Sequence, residues 1–201
     1  MLKRAFDVLL SGTGLVLSAP LWILIAAAIK AEDGGPVFFT QERVGLGGRV
    51  FPAFKFRSMV PDAERNTGAI QAVDADPRIT RVGRLLRATA MDELPQLWNI
   101  FRGDMSFVGP RPLRPGEADT TSVGVVVPLS AIRGYEERHT IRPGLTGLAQ
   151  VFAPRDLPRP AKFRYDLLYR RRAGFCLDLW LIAQSFRITL RGRWEHRGPK
   201  L

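Results

Sequence analysis

From Val8 to Ile29 the chain carries no charged residue, whereas Lys3 and Arg4 precede this run and Lys30 follows it. As one straight helix these 22 residues rise about 33 Å, enough to cross the hydrocarbon layer of a bilayer. Pro20 argues against straightness, because it has no N–H to donate and its ring collides with the carbonyl of Val16. A bend is therefore expected at Ser18-Ala19-Pro20, where Ser18 could serve a freed carbonyl. Three arrangements follow: a kinked span, a cleaved leader whose Ala26-Ala27-Ala28 imitates a cleavage site, and a re-entrant helix-break-helix. Positive charge on both flanks, ahead of a strongly basic domain, is natural for a segment whose two ends stay on one side. The residues alone leave all three open.

The length of 201 residues allows one domain plus a membrane element. We expect a membrane segment over 1–32, a main domain over 33–190 and a basic tail over 191–201. Thirty Lys and Arg against 19 Asp and Glu give a formal net charge of +11, which favours polyanionic partners: nucleic acid, anionic lipid or a phosphorylated substrate. The single cysteine, Cys176, excludes an internal disulfide and fits a reducing cytoplasmic setting. With only His139 and His196 beside it, no Cys/His zinc site can be built. Any metal would be a hard ion on carboxylate and phosphate oxygens, magnesium being the usual one.

Val37 to Thr40 and Phe51 to Phe56 are short β-prone runs around Gly45-Leu46-Gly47-Gly48 and predict a hairpin. Lys55 and Arg57 would share one face of its second strand, as a cationic pair or a solvated surface. The tract from Pro61 to Asp76 reads as a loop. Ile79 to Arg87 has helical periodicity with Ile79, Val82, Leu85 and Leu86 on one side. Leu94, Leu97, Trp98 and Phe101 predict a second helix, with Pro95 in its first turn and Gly103 at its end. The stretch from Arg114 to Ser130 looks irregular and Ala153 to Pro160 reads as a loop. Phe175 to Leu190 predicts an apolar helix with Leu179, Ile182, Phe186 and Leu190 aligned, either buried or lying on a bilayer surface. The fold expected is α+β and mainly helical, with an N-terminal re-entrant membrane helix-break-helix, which the flanking charges favour, surface amphipathic helices and a small β-hairpin.

Asp92 and Glu93 open the helix of Leu94 to Phe101, where acidic residues commonly cap. The same position suits phosphoryl transfer, since a helix start favours both an ionised carboxylate and the phosphate it would attack. Arg87 lies five residues ahead of Asp92 and is either a solvated arginine or a phosphate clamp. Gly109-Pro110-Arg111-Pro112 and Arg142-Pro143-Gly144 each hold an arginine in a rigid turn, which limits the entropy lost on gripping an anion. A basic, membrane-tethered nucleic-acid binder is the reading from another class, although no nucleic-acid motif is recognised and the aromatics look core-like.

Lys3 to Asp7, the kinked apolar helix, Phe39 to Gly45 with its Gln41-Glu42-Arg43 centre, Lys55 to Met59, the Asp92 block, Gly109 to Pro112 and Arg142 to Gln150 occur in an order that resembles the bacterial sugar transferases. More narrowly, the chain resembles the small monotopic phosphoglycosyl transferases from about Lys3 to Leu190. The resemblance implies transfer of a sugar-1-phosphate from a UDP-sugar to polyprenol phosphate at the cytoplasmic face of a bacterial inner membrane, with release of UMP. It implies that Asp92 is a nucleophile carrying a phospho-sugar and a ligand of Mg2+, with Glu93 its partner carboxylate. Arg87 matches a phosphate-contacting arginine, and Lys55, Arg57, Arg111 and Arg142 are assigned to the same anion-binding surface. Two departures stand out: Ala19 precedes Pro20 where the family commonly has serine, and residues 152–156 replace a common Gly-Arg-Asn-like sequence.

Overall fold

The computed structural model describes residues 2–63, 76–120, 125–154 and 157–194. Most of the loop expected over 61–76, part of the 152–156 departure and most of the basic tail therefore lie outside the described residues.

The apolar run forms a single long helix, α1 (Leu2–Asp33), whose backbone stays helical through Ser18-Ala19-Pro20. Pro20 removes one hydrogen bond, and the remaining bonds on either side hold the turn. Ser18 does not take up the Val16 carbonyl as expected. Its Oγ lies 3.5 Å from the Leu15 carbonyl and accepts from Trp22 Nε1 at 3.0 Å. A helix of 32 residues is about 48 Å long, and both of its ends are fastened to the rest of the chain.

Near the N-terminus, Lys3 pairs with Asp178, and Arg4 donates to the terminal carbonyls of Ile100 and Phe101 at 2.6 and 2.7 Å. Buried Asp7 accepts from Ser106 Oγ and the Phe107 N–H, both at 3.1 Å. At the other end the Glu32 carboxylate accepts from the N–H groups of Arg81 and Val82 at 2.6 and 3.1 Å, and Asp33 pairs with Arg57. Between these anchors Ile25 and Ile29 bury against Phe56 and Leu86. Leu2, Leu9, Val16 and Ile23, spaced by seven residues, form an opposite stripe that is about 70% exposed. One face of α1 thus lies on the domain and the other is bare hydrocarbon.

Strands β1 (Phe38–Val44) and β2 (Val50–Phe56) form the expected antiparallel hairpin, in register from Phe38 opposite Phe56 to Val44 opposite Val50. Phe51 and Ala53 turn inward on one face and Phe56 on the other, as a period of two requires. Helix α2 (Arg81–Thr89) starts two residues later than the periodicity indicates, because Thr80 caps it by accepting from the Gly83 N–H at 2.9 Å. Leu85, expected in its apolar face, is exposed, while Leu86 is buried. Asp92 and Glu93 do not open α3 as expected but sit in a separate 3₁₀ turn, Met91–Glu93. Helix α3 (Gln96–Arg102) begins only after Pro95, which is its N-cap and not in its first turn, and is closed by Gly103 at φ 105°. Leu97 is buried, but Trp98 and Phe101 stack on the surface with centroids 5.8 Å apart.

Strand β3 (Ser106–Val108) pairs in parallel with β6 (Gly144–Thr146) across the chain. The stretch expected to be irregular contains a short antiparallel pair, β4 (Ala118–Thr120) and β5 (Val126–Pro128), followed by α4 (Tyr135–Arg138). Helix α5 (Leu148–Phe152) precedes α6 (Arg159–Arg172). The loop expected up to Pro160 ends sooner, because Pro160 occupies the first turn of α6, where its missing N–H costs nothing. Helix α7 (Phe175–Leu190) has the expected bounds. Leu181 and Ile188 face the core, whereas Leu179, Phe186 and Leu190 of the expected stripe point outward. The fold is mixed helix and strand with helix predominating, as expected.

Candidate active site

The carboxylates of Asp92 and Glu93 are positioned by packing on both sides of their turn. Behind it, α3 is clamped to the hairpin by the buried Asn99 side chain, which donates to the Pro52 carbonyl at 2.7 Å and accepts from the Phe54 N–H at 3.0 Å. Asn99 acts here as a fragment of a third strand on the edge of β2. Ahead of the turn, Ala90 closes α2 in the left-handed region at φ 56°, a conformation that costs a non-glycine residue about 1 kcal/mol or more. The chain is thereby redirected so that Asp92 and Glu93 meet Lys55 on the inward face of β2.

The two carboxylates differ sharply. Glu93 accepts from Lys55 Nζ at 2.5 Å and from Arg111 Nη2 at 3.1 Å. Its pKa is accordingly lowered to about 2, the cations Lys55 and Arg111 outweighing a large opposing effect of burial. Asp92 is 7% exposed and accepts no hydrogen bond from the described residues; Lys55 Nζ is its ion-pair partner at 3.8 Å. Burial, aided by the neighbouring Glu93 charge, pushes its pKa up to about 6 despite Lys55, Arg87 and Arg111. One carboxylate is locked into an ion-pair lattice and its neighbour is left desolvated and open to attack an electrophile or bind a cation.

Asp92 and Glu93 line a cavity of about 1360 Å³ that Lys55, Arg57, Arg87 and Arg111 also line. Leu10, Gly14, Leu17 and Leu21 of α1, with Ile182 and Phe186 of α7, provide its apolar wall. The expected anion-binding residues are thus brought together in part. Lys55, Arg87 and Arg111 surround the carboxylate pair, each close enough to act on the charge of Asp92.

Arg57 lines the cavity but does not form a cationic pair with Lys55. Its guanidinium is held by Asp33, the Pro36 carbonyl at 2.6 Å and the Met59 carbonyl at 3.0 Å. Asp33 is absent from any reading that considers Arg57 alone. Arg142 does not line the cavity: it is exposed and donates to the Gly103 carbonyl at 3.0 Å, closing the end of α3.

The two proline turns have a joint structural reason. The Gly109 N–H donates to the Thr146 carbonyl and the Gly144 N–H to the Pro110 carbonyl, both at 2.9 Å. A Cβ on Gly109 would lie 2.3 Å from the Arg142 carbonyl oxygen, and one on Gly144 would lie 2.0 Å from the Gly109 nitrogen. Only glycines permit this approach, and it fixes the segment that presents Arg111 to Glu93.

Among the described residues no group of three or more His, Cys, Asp or Glu side chains gathers to hold a metal. An ion completed by substrate phosphates and water needs only one or two carboxylates. The desolvated Asp92 carboxylate, held only by the 3.8 Å ion pair to Lys55 among the described residues, fits that need, whereas Glu93 is already occupied by Lys55 and Arg111.

The site is thus a carboxylate pair ringed by Lys55, Arg87 and Arg111, in a cavity walled in part by the long apolar helix α1. The chain belongs to the bacterial sugar transferase family, whose model matches residues 1–192. It is 43% identical over 187 residues to the undecaprenyl-phosphate glucose phosphotransferase of Komagataeibacter xylinus, covering 90% of this chain and 34% of that protein. It is 39% identical to a UDP-N-acetylgalactosamine-undecaprenyl-phosphate N-acetylgalactosaminephosphotransferase of Aeromonas hydrophila, over 95% of this chain and 44% of that protein. An exopolysaccharide production protein, PSS, of Rhizobium leguminosarum bv. phaseoli is 41% identical, over 90% of this chain and 92% of its own length. The chain thus spans less than half the length of the first two relatives and nearly all of the third.

Proposed function

We propose that this protein transfers a sugar-1-phosphate from a UDP-sugar to polyprenol phosphate, giving a polyprenol-diphosphate-sugar and UMP, in two steps through a phospho-sugar carried on Asp92. The observation that carries this reading is the division of the adjacent carboxylates within one cavity. Asp92 is ionisable and, among the described residues, is held only by the 3.8 Å ion pair to Lys55, so little stabilisation must be lost when its oxygen attacks phosphorus. Glu93 positions Lys55 and Arg111, and these with Arg87 offset the repulsion between an anionic nucleophile and an anionic diphosphate. Polyprenol phosphate then attacks the same phosphorus and releases Asp92. Asp92 would hold Mg2+, which when bound supplies further neutralisation of the diphosphate charge. The relatives' names support undecaprenyl phosphate as acceptor and a UDP-sugar as donor, with glucose and N-acetylgalactosamine both represented.

The membrane arrangement belongs to the same proposal. A helix crossing a bilayer places its ends in opposite compartments, but Lys3, Arg4 and Asp7 at one end of α1 and Glu32 and Asp33 at the other all bind the same domain. That supports a monotopic, re-entrant helix inserted from the cytoplasmic face of the bacterial inner membrane. The stripe of Leu2, Leu9, Val16 and Ile23 would face lipid, continued by the outward Leu179, Phe186 and Leu190 of α7. In that setting the apolar wall from α1 and α7 leads a lipid tail to Asp92.

The test is UMP release from a panel of UDP-sugars with purified protein and polyprenol phosphate. We expect release with at least one sugar and none from Asp92→Asn. Turnover by a folded Asp92→Asn protein at the wild-type rate removes the reading.

A further inference from the structure

Arg43 is a cation that the described fold leaves without a carboxylate. It projects from β1, where Nη1 donates to the Pro112 carbonyl at 3.2 Å and Nη2 to the Gln41 side chain, both neutral acceptors. No Asp or Glu forms an ion pair with it among the described residues, although Glu93 and Glu117 act on it from a distance. Burial, then repulsion from Arg111 and Arg114, pushes its pKa down to about 10. A guanidinium that is desolvated, repelled by two like charges and fixed by neutral groups is poised for an anion from outside.

Its place orders the site. Arg43 lines the main cavity and also a small cleft beside it, which Lys55, Glu93 and Arg111 share. Asp92 feels Arg87, Lys55 and Arg111, and Arg43 feels Arg111 and Arg114. Arg111 is therefore the link between the nucleophile's surroundings and a second cationic pocket.

We infer that Arg43 and Arg111 form the subsite for the phosphate of the departing nucleoside monophosphate. The inference rests on the transfer reading above and adds to it where the leaving group is held. As a bond forms between an Asp92 carboxylate oxygen and the sugar-bearing phosphorus, the bond from that phosphorus to the bridging oxygen breaks. The electron pair stays on the bridging oxygen, which departs as a terminal oxygen of UMP and raises the negative charge of that phosphate by one. An in-line displacement sends this oxygen away from Asp92, and the Arg43 guanidinium, which lines the same cavity and shares the small cleft with Arg111, meets the charge as it develops. Polyprenol phosphate carries the same monoester chemistry, so the experiment separates the two.

The experiment measures UMP and uridine binding by calorimetry with full-length protein in nanodiscs, together with KM for polyprenol phosphate, in wild type, Arg43→Gln and Arg43→Lys. Loss of a charged hydrogen-bonding partner predicts UMP affinity weakened roughly 10- to 100-fold in Arg43→Gln. Uridine affinity and the KM for polyprenol phosphate stay unchanged. Arg43→Lys, which keeps the charge but not the fork, falls between, and it supplies the comparison if Arg43→Gln does not fold. UMP binding unchanged in either folded variant overturns the inference, as does a shift confined to polyprenol phosphate. A wild type that binds UMP through Arg43 but turns over no UDP-sugar supports the subsite and removes the transfer reading.

Discussion

Asp92→Asn should make the protein more stable, and only above a defined pH. Burial raises the Asp92 pKa from 3.8 to about 6, a difference of about 2 units, each worth about 1.4 kcal/mol. A carboxyl whose folded-state pKa exceeds its unfolded value favours the folded state most when protonated. Its contribution is fully present below about pH 4 and is lost as pH rises through about 6. At pH 7 the ionised group therefore costs the fold about 3 kcal/mol, which a neutral isostere avoids. Glu93 has the opposite sign: with a pKa lowered to about 2, its contribution is lost only as pH falls from about 4.5, so the two windows separate. Thermal unfolding followed by tryptophan fluorescence at pH 4.5 to 7.5 should show melting temperatures diverging with rising pH, by about 6 °C or more at pH 7. Equal melting temperatures at pH 7, or a difference that does not change with pH, would refute the desolvated-carboxylate account.

Three further outcomes are expected. The rate of UMP release should fall about tenfold per pH unit below about 6, as Asp92 takes up its proton; a flat profile to pH 5 in folded protein would contradict this. Gly109→Ala, whose Cβ would lie 2.3 Å from a backbone oxygen, should cost about 3 kcal/mol and reduce UMP release by displacing Arg111. Gly174→Ala, which meets nothing nearer than 3.8 Å, should do neither, and equal melting temperatures for the two would refute the close-approach argument. Cysteines introduced near Met1 and near Arg193, in a Cys176→Ser background, should both be shielded from an impermeant thiol reagent outside intact cells. Labelling at only one end would establish a span.

What the sequence made legible were features set by local chemistry. The uncharged run became α1, the glycine-rich turn became the hairpin connection, and α7 has the bounds its apolar stretch indicated. Adjacent Asp92 and Glu93 are conspicuous as side-by-side carboxylates just ahead of an apolar-periodic run, although they occupy a 3₁₀ turn and not the start of α3 itself. Their division of roles was not legible, since it depends on Lys55 and Arg111 arriving from 38 and 18 residues away. For the same reason Arg57 and Arg142 could not be sorted from the others: Asp33 and the Gly103 carbonyl that engage them are brought there by the tertiary fold. Arg43 stood inside a motif that was noticed, but its lack of a counter-ion is a property of the folded site. The strands β3 to β6 have three residues each, too short to show a period of two. The α6 run carries two arginines near its start and three in its last turn, and so offers little apolar pattern.

The account depends most on phosphorus becoming covalently attached to Asp92. Intact-protein mass spectrometry after rapid mixing of enzyme with UDP-sugar, without polyprenol phosphate, tests this directly. The prediction is an added mass equal to one sugar phosphate, mapped by proteolysis to the peptide containing Asp92, absent from Asp92→Asn and discharged by polyprenol phosphate. UMP release on first turnover with no mass added to the protein would contradict it.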